Sequence, residues 1–186
     1  MRQNSITNSH PTINVQGITL PNEPLTNFQL MAAANRIKIP NFRGVFLRNQ
    51  LPKKPKRNEC GILNLDDENG THWVCWYKSS GCRLRGSNCN VFSKENGVSE
   101  KYYFDSYGLR PPEELLNYLK SPIYYNTERI QPPGTVCCGH YCLHVLKELS
   151  KGENLQNIVN KNVLTLRFTA PLLASSRPRL CLRCYA

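Results

Sequence analysis

The sequence lacks an apolar run long enough to cross a membrane. A transmembrane helix needs about 20 consecutive, mostly apolar residues, and charged residues, Pro or Asn interrupt every apolar stretch well before that length. The N-terminal segment Met1–His10 also lacks the apolar region of a secretion signal. We therefore expect a protein that is intracellular and neither embedded in a membrane nor secreted.

Cysteine is plentiful but lacks the pattern of a disulfide scaffold or a zinc site. Nine cysteines are an odd number, and without a secretion signal reduced thiols are the better interpretation. The single CxxC pair at 181–184 has no second pair to complete four zinc ligands. Cys138 and Cys142 share one face of a helix, from which His140 and His144 point away, so one tetrahedral site cannot easily use all four. No metal is expected.

Basic residues outnumber acidic residues, and long stretches contain no acidic residue. The formal net charge is +11. Lys53, Lys54, Lys56 and Arg57 form a basic surface loop, and no acid follows Glu153. The bases beyond that point are Lys161, Arg167, Arg177, Arg179 and Arg183. These clusters predict either a solvated basic surface or contacts with the phosphates of DNA that do not read its sequence.

The apolar residues that are present predict one α+β domain, with strands followed by packing helices and a tail at each end. Residues 1–24 are polar and predict a poorly ordered tail, and residues 159–186 predict a basic, divergent C-terminal tail. Residues 25–158 carry the domain. With 186 residues, 40% of them hydrophobic, the chain can bury a sizeable core. We expect a monomer.

Local patterns predict the elements of this domain. Helices are predicted at 25–36, at 111–119, from Cys138 to Leu149, and at 155–158. Strands are predicted at 42–47, 59–65, 71–77, 102–108 and 123–130, the last as a third central strand. Residues 79–99 predict an enlarged polar hairpin loop, which leaves the pairing of its flanking strands open.

The segment from Gln131 to Cys142 carries the strongest chemical signal. Cys138 and Gly139 lie at the first turn of an apolar helix, where free N–H groups and a partial positive charge favour a thiolate. Gln131 lies shortly upstream, where its amide could fold back beside the sulfur. These are the requirements of a thiolate nucleophile with an oxyanion hole. Cys137 is the rival nucleophile.

A base and an acid stand at the ends of two predicted strands. His72 lies at the entrance of an aromatic, β-branched strand, and Asp105 lies at the exit of the next one. Such residues can meet at one edge of a sheet, where the helix at Cys138 could present its sulfur to His72. A base beside a nucleophile and oriented by a third group is the arrangement of a catalytic triad. Trp73 and Trp76 are expected to line the core and a cleft wall.

Read in order, the motifs H-W-V, F-D-S-Y-G-L, Q-x6-C-G and C-G-x-x-C resemble those of the adenovirus-type (adenain-like) cysteine endopeptidases. The resemblance is greatest to the proteases of Polinton/Maverick elements and related viruses. Residues 39–52 are similar to that family's N-terminal motif, and the resemblance spans residues 25–149.

The resemblance implies a papain-like fold and a role for each motif residue. His72 would be the general base, Asp105 its orienting acid and Cys138 the nucleophile. Gln131 would donate to the oxyanion together with the backbone N–H of Cys138. The family places its reactive residue directly before a glycine, which favours Cys138 over Cys137.

The function implied is a thiol endopeptidase that cleaves precursor (capsid) proteins of a virus or mobile element, in the nucleus or in a virion-like particle. The chemistry needs no cofactor, but DNA would serve as an activating polyanion, with Lys53, Lys54, Lys56 and Arg57 as contacts. One alternative is a deubiquitinase or ubiquitin-like-modifier protease of the same fold, with Trp73 in a narrow tunnel. Another is a non-catalytic, basic DNA-binding protein.

Overall fold

The computed structural model of the chain describes residues 11–66, 72–80, 99–162 and the backbone of 182–185. The helices in these ranges are α1 (Asn27–Ile37), α2 (Glu113–Leu119), α3 (Cys138–Ser150) and α4 (Leu155–Asn162). The strands are β1 (Thr12–Val15), β2 (Ile18–Pro21), β3 (Phe42–Leu47), β4 (Glu59–Asn64), β5 (Trp73–Ser80), β6 (Ser99–Phe104), β7 (Ile123–Asn126) and β8 (Leu182–Tyr185).

Strands β3 to β8 form one mixed sheet in the order of the chain. The pairs β3–β4 and β6–β7 are parallel, and β4–β5, β5–β6 and β7–β8 are antiparallel. Strands β1 and β2 form a separate antiparallel hairpin. The predicted α+β class, with a central mixed sheet, packing helices and Cys138 at the start of a helix, is confirmed.

The sheet is covered on both faces, because alternate residues of a strand point to opposite sides. Ile62 and Cys75 face one another across β4 and β5 and contribute to the core shared with α1, α3 and the β1–β2 hairpin. Their neighbours Leu63 and Val74 face the other way, into a second core that contains residues of α2. The β-branched and aromatic composition of β5 suits a strand that is buried on both faces.

Helix α1 is defined by its first turn. The hydroxyl of Thr26 accepts the backbone N–H of Gln29 at 3.2 Å, and the Gln29 side chain accepts the backbone N–H of Thr26 at 2.7 Å. This reciprocal capping box satisfies two N–H groups that would otherwise lack partners. The helix therefore begins at Asn27, two residues after the predicted start, with the predicted Thr26 as its cap.

The prediction of a poorly ordered tail over residues 1–24 is wrong for its second half. Strands β1 and β2 pair from Thr12 to Pro21, and Ile13, Val15 and Leu20 are buried in the main core. Residues 1–10 lie outside the described part of the chain. The hairpin escaped prediction because four-residue strands in a polar setting leave too short a pattern to recognise.

The C-terminal half of the sheet also departs from prediction. Strand β7 ends at Asn126 instead of residue 130, and it pairs with β6 on one side and β8 on the other. Helix α4 extends to Asn162, and β8 adds residues 182–185 to the sheet. Both lie in the segment predicted as a tail from residue 159, so that prediction is wrong for these two parts. Residues 163–181 are not among those described.

The strands that flank the predicted loop at 79–99 are direct neighbours. Strand β5 continues to Ser80 and β6 begins at Ser99, and the two pair antiparallel up to that point. The remaining loop residues, 81–98, lie outside the described ranges. Within those ranges, none of the helices combines the length and apolar character required to span a bilayer.

Candidate active site

His72 and Asp105 meet because their strands are antiparallel neighbours. His72 directly precedes β5 and Asp105 directly follows β6, and the register pairs Cys75 with Phe104. The start of one strand therefore lies beside the end of the other. The Nε2–H of His72 donates to Oδ1 of Asp105 at 2.6 Å, and both side chains are buried.

Asp105 is held by its own turn and by β7. Its Oδ1 also accepts the backbone N–H of Tyr107 at 2.7 Å. The buried Asn126, at the end of β7, accepts the backbone N–H of Asp105 at 3.1 Å and donates to its carbonyl at 2.6 Å. Asn126 therefore fixes the backbone that carries the acid. Sequence reasoning missed this residue, because the role depends on the pairing of β6 with β7.

Cys138 interacts with the same imidazole. It is the first residue of α3, and its side chain keeps a little exposure. Burial alone lowers the pKa of His72, but the hydrogen bond to Asp105, the contact with Cys138 and the charges of both groups raise it to about 9. The site therefore favours an imidazolium. Within the described residues, the buried Nδ1 of His72 has no hydrogen-bond partner.

The neighbouring Cys137 and Cys142 contact residues other than His72. Cys137 is fully buried and its sulfur contacts the Thr135 hydroxyl at 3.5 Å. Burial raises the pKa of Cys137 and, more strongly, that of Cys142, whose sulfur contacts the Trp73 carbonyl at 3.4 Å. Both thiols are thus held in their neutral form. Among these three thiols, the contact with the histidine belongs to Cys138.

Gln131 is buried between the acid's turn and the segment that leads into α3. Its Oε1 accepts from the hydroxyl of Ser106 at 2.8 Å, and its Nε2 donates to the Thr135 carbonyl at 2.6 Å. Its backbone N–H donates to the Ser106 carbonyl at 2.9 Å. An amide nitrogen carries two hydrogens, so one remains for a further acceptor. The role of Gln131 as an oxyanion donor stays a prediction.

A stack of side chains backs the histidine. The Tyr107 ring lies on the His72 ring with 4.3 Å between centroids and an angle of 11°. The Arg129 guanidinium lies over the Tyr107 ring, 4.7 Å from its centroid. Neither Tyr107 nor Arg129 was identified as a site residue from the sequence, although Tyr107 belongs to the motif that contains Asp105.

His140, His144 and Trp73 have structural contacts. His140 donates through Nε2 to the Pro21 carbonyl at 2.9 Å, and burial lowers its pKa. His144 accepts from Gln16 at 2.9 Å. The two histidines thus contact the β1–β2 hairpin rather than Cys138 or Cys142. Trp73 is buried and donates to the Leu25 carbonyl at 2.8 Å, which is a core position.

The basic loop leaves its cationic ends exposed. Lys53, Lys54, Lys56 and Arg57 are all exposed, while the Lys56 backbone donates to the buried carboxylate of Glu59 at 2.8 Å. Two further cations lie nearby. Lys78 donates to the Lys56 carbonyl at 3.0 Å, and Lys101 is its partner across β5 and β6. Burial and the charge of Lys78 lower the pKa of Lys101.

Among the C-terminal bases, Lys161 forms an ion pair with Glu153 at 3.5 Å. The prediction for Arg167, Arg177 and Arg179 falls outside the described residues.

Comparisons with known proteins give a distant structural likeness. Models of protein families give no match to this chain, and neither does a search of curated proteins. Among solved structures, the crystal structure of the ASFV pS273R protease aligns at 19% identity with a TM-score of 0.42. The alignment covers 75% of this chain and 63% of that one, so the chain spans less than two thirds of the length of the protein it matches.

Proposed function

We propose that this chain is a cysteine endopeptidase of the papain-like, adenain-like fold, with Cys138, His72 and Asp105 as its triad. The observation that carries the proposal is the pair of interactions that His72 makes. One ring nitrogen donates to Asp105 at 2.6 Å, and Cys138, at the start of α3, interacts with the same side chain. Thiol-based acyl transfer uses a nucleophile that interacts with a base, and a base that is oriented by an acid.

The acylation step follows from these positions. The Cys138 thiolate attacks the carbonyl carbon of the scissile bond, and a C–S bond forms as the carbonyl π electrons move to oxygen. The backbone N–H of Cys138 and the remaining Nε2 hydrogen of Gln131 would stabilise that oxyanion. The intermediate collapses with cleavage of the C–N bond. The His72 imidazolium gives its proton to the leaving amine.

Water then releases the acyl group. The neutral His72 takes a proton from a water molecule, whose oxygen attacks the thioester carbonyl. The C–S bond breaks, the carboxylic acid product leaves, and the thiolate–imidazolium pair is restored. Asp105 keeps its hydrogen bond to Nε2 throughout, which fixes the ring and stabilises its charged form.

The sequence resemblance supports precursor proteins of a virus or mobile element as substrates. The alternative of a ubiquitin-like-modifier protease relied on Trp73 as part of a narrow tunnel. The buried contact between Trp73 and Leu25 does not favour that alternative.

We also propose that the basic loop, defined as Lys53, Lys54, Lys56 and Arg57, holds DNA through its phosphates. Its cationic ends are exposed, and Lys78 and Lys101 add positive charge beside it. The DNA would act as a polyanion and not as a source of chemistry.

The test of the protease proposal is a pair of adjacent substitutions assayed on a peptide library. Cys138→Ala should abolish cleavage, because it removes the nucleophile. Cys137→Ala should retain most of it, because that thiol contacts Thr135 and is buried. Full activity of Cys138→Ala would end the assignment. Wild-type protein that cleaves no peptide and still binds DNA would favour the non-catalytic alternative.

A further inference from the structure

The stack behind His72 extends across three side chains. Since His72 covers one face of the Tyr107 ring at 4.3 Å, the guanidinium of Arg129 at 4.7 Å occupies the opposite face. Arg129 also donates through Nε to the backbone carbonyl of Gln131 at 2.9 Å. The stack therefore connects the histidine to the residue proposed as oxyanion donor.

A single hydrogen bond leaves an imidazole free to rock about its bond to Cβ. The bond to Asp105 fixes one nitrogen of His72, but the plane of the ring can still tilt about that contact. A flat aromatic surface at stacking distance limits this tilt. It also favours the charged form of the ring, because a cation is attracted to an aromatic face.

We propose that Tyr107 and Arg129 are positioning residues, which hold the His72 ring in the plane that presents Nδ1 to the Cys138 sulfur and couple that plane to the turn at Gln131. This inference rests on the proposed function. Neither side chain touches the reacting atoms in this assignment. Both act through His72 and Gln131.

The exposure of Arg129 separates this role from ordinary packing. Arg129 is exposed, so its removal takes little apolar area from the core. Tyr107 is only partly buried. A side chain with a purely structural role at such a place would affect stability slightly and leave the chemical step unchanged.

The first experiment compares the kinetics of three variants on a peptide that the wild type cleaves. Tyr107→Phe keeps the ring and should stay within about twofold of wild type in kcat. Tyr107→Leu removes the stacking surface and should lower kcat about 10- to 100-fold with little change in KM, since small errors of alignment reduce rate more than binding. Arg129→Gln should fall between the two.

Tyr124→Leu is the matched control, because it removes a tyrosine that is 39% exposed on β7 and lies outside the stack. It should keep wild-type kcat. The fraction of folded protein is measured for each variant by circular dichroism. A loss of kcat in Tyr107→Leu that only follows the unfolded fraction, or that Tyr107→Phe shares, would overturn the proposal.

A second experiment needs no substrate and reports on the ring itself. Alkylation of Cys138 is measured by mass spectrometry at neutral pH with iodoacetamide, which is neutral, and with iodoacetate, which is an anion. An imidazolium beside the thiolate offsets its charge and admits the anion more readily, whereas a displaced ring leaves the thiolate charge to repel it. The groups facing the ring among the described residues are Asp105, Cys138 and Tyr107, with Arg129 behind.

We expect the ratio of iodoacetate to iodoacetamide rates to fall in Tyr107→Leu and to be retained in Tyr107→Phe. An unchanged ratio in Tyr107→Leu, in a wild-type protein that cleaves peptides, would refute the positioning role and leave the protease intact. Cys138 that alkylates no faster than a free thiol, in a wild type that cleaves nothing, would refute the proposed function instead. The two failures are thus distinguishable.

Discussion

At the scale of single residues, two opposing effects set the charge of His72. Burial works against an imidazolium, and the contacts with Asp105 and Cys138 reverse that effect. The folded-state pKa of His72, about 9, lies above its ordinary value of 6.5. The stabilisation from this group is therefore fully present below about pH 6.5, and it is lost as the pH rises through about 9.

The Asp105→Asn variant tests this balance. It removes a negative charge from beside the ring, so the pKa of His72 should fall and the alkaline limb of kcat/KM, near pH 9 in the wild type, should move to lower pH. Between pH 6.5 and 9.5, the free energy of unfolding of the variant should also decrease less than that of the wild type. An alkaline limb that stays in place would show that Asp105 does not set the charge of His72.

Ser106 is expected to help hold the Gln131 amide in its orientation. The Thr135 carbonyl can only accept, which identifies Nε2 as the donor and leaves Oε1 to accept from the Ser106 hydroxyl. Gln131→Ala should lower kcat about 10²–10³-fold, the usual loss for one oxyanion donor, and Ser106→Ala should lower it less, because the Thr135 contact still holds the amide. Steady-state kinetics on one peptide measures both. A larger loss in Ser106→Ala than in Gln131→Ala would contradict this order.

Candidate site residues could be predicted from the sequence only where they belong to a motif. His72 could be predicted because it begins an aromatic strand pattern, Asp105 because it follows one, and Cys138 because it begins an apolar helix. The stacking role of Tyr107 could not be predicted, since an aromatic residue between an acid and a glycine can turn to either side. Its orientation depends on His72 and Arg129, which arrive from other parts of the chain.

At the scale of elements, the turn after β6 is pressed against the loop after β7. Gly108 has φ +74°, and a Cβ there would lie 2.7 Å from backbone carbon atoms of Thr127 and Glu128. Backbone at that distance cannot give way as a flexible side chain would. The close approach brings Asp105 and Tyr107 to the same edge as Arg129 and Gln131.

Gly108→Ala and Gly134→Ala form a matched pair that isolates this contact. Both glycines have φ +74°, but a Cβ at Gly134 meets nothing within 4 Å. Gly134→Ala should cost only the left-handed strain, about 1–2 kcal/mol, and Gly108→Ala should add about 1–3 kcal/mol for overpacking. Urea unfolding of both variants measures the difference. Equal losses would show that the loops separate easily.

Elements were predicted well where the sequence has a long apolar pattern or a distinct capping signal. Helix α1 has its capping box at Thr26, and α3 has its apolar periodicity. The β1–β2 hairpin and β8 were missed, because four residues of strand gain stability from the surface they pair with or cover and not from their own sequence. Tertiary burial of Ile13 and Val15 is the information that local patterns lack.

At the scale of the whole molecule, the excess of positive charge is unevenly placed. The exposed cations of the basic loop lie beside the facing pair Lys78 and Lys101. A bound anion would offset the repulsion between Lys78 and Lys101, which contributes to the lowered pKa of Lys101.

DNA binding can be tested by its salt dependence. The logarithm of the affinity for a random duplex should fall linearly with the logarithm of salt concentration, by about 0.9 per phosphate neutralised. Changing Lys53, Lys54, Lys56 and Arg57 to Glu should flatten that slope and leave the DNA-free hydrolysis of a short peptide nearly unchanged. Fluorescence anisotropy measures the first quantity and a peptidase assay the second.

The control for this variant places the same charge change elsewhere. Arg36, Lys38, Arg110 and Lys161 are exposed, and changing them to Glu gives the same net charge away from the basic loop. The control should keep more of the salt slope than the loop variant. Equal slopes in the two variants would show a general charge effect, and no binding by the wild type at low salt would end the DNA proposal.

The turn at residues 105–107 makes the site sensitive to chain length in a way that substitution does not reveal. Three consecutive residues face three different partners: Asp105 faces His72, Ser106 faces Gln131 and Tyr107 stacks on His72. Gly108 holds the end of the turn at a fixed distance from residues 127 and 128. Inserting or deleting one residue here would move all three side chains away from their partners at once. A library of variants should therefore tolerate single replacements at Ser106 or Tyr107 far better than any change in the length of this turn.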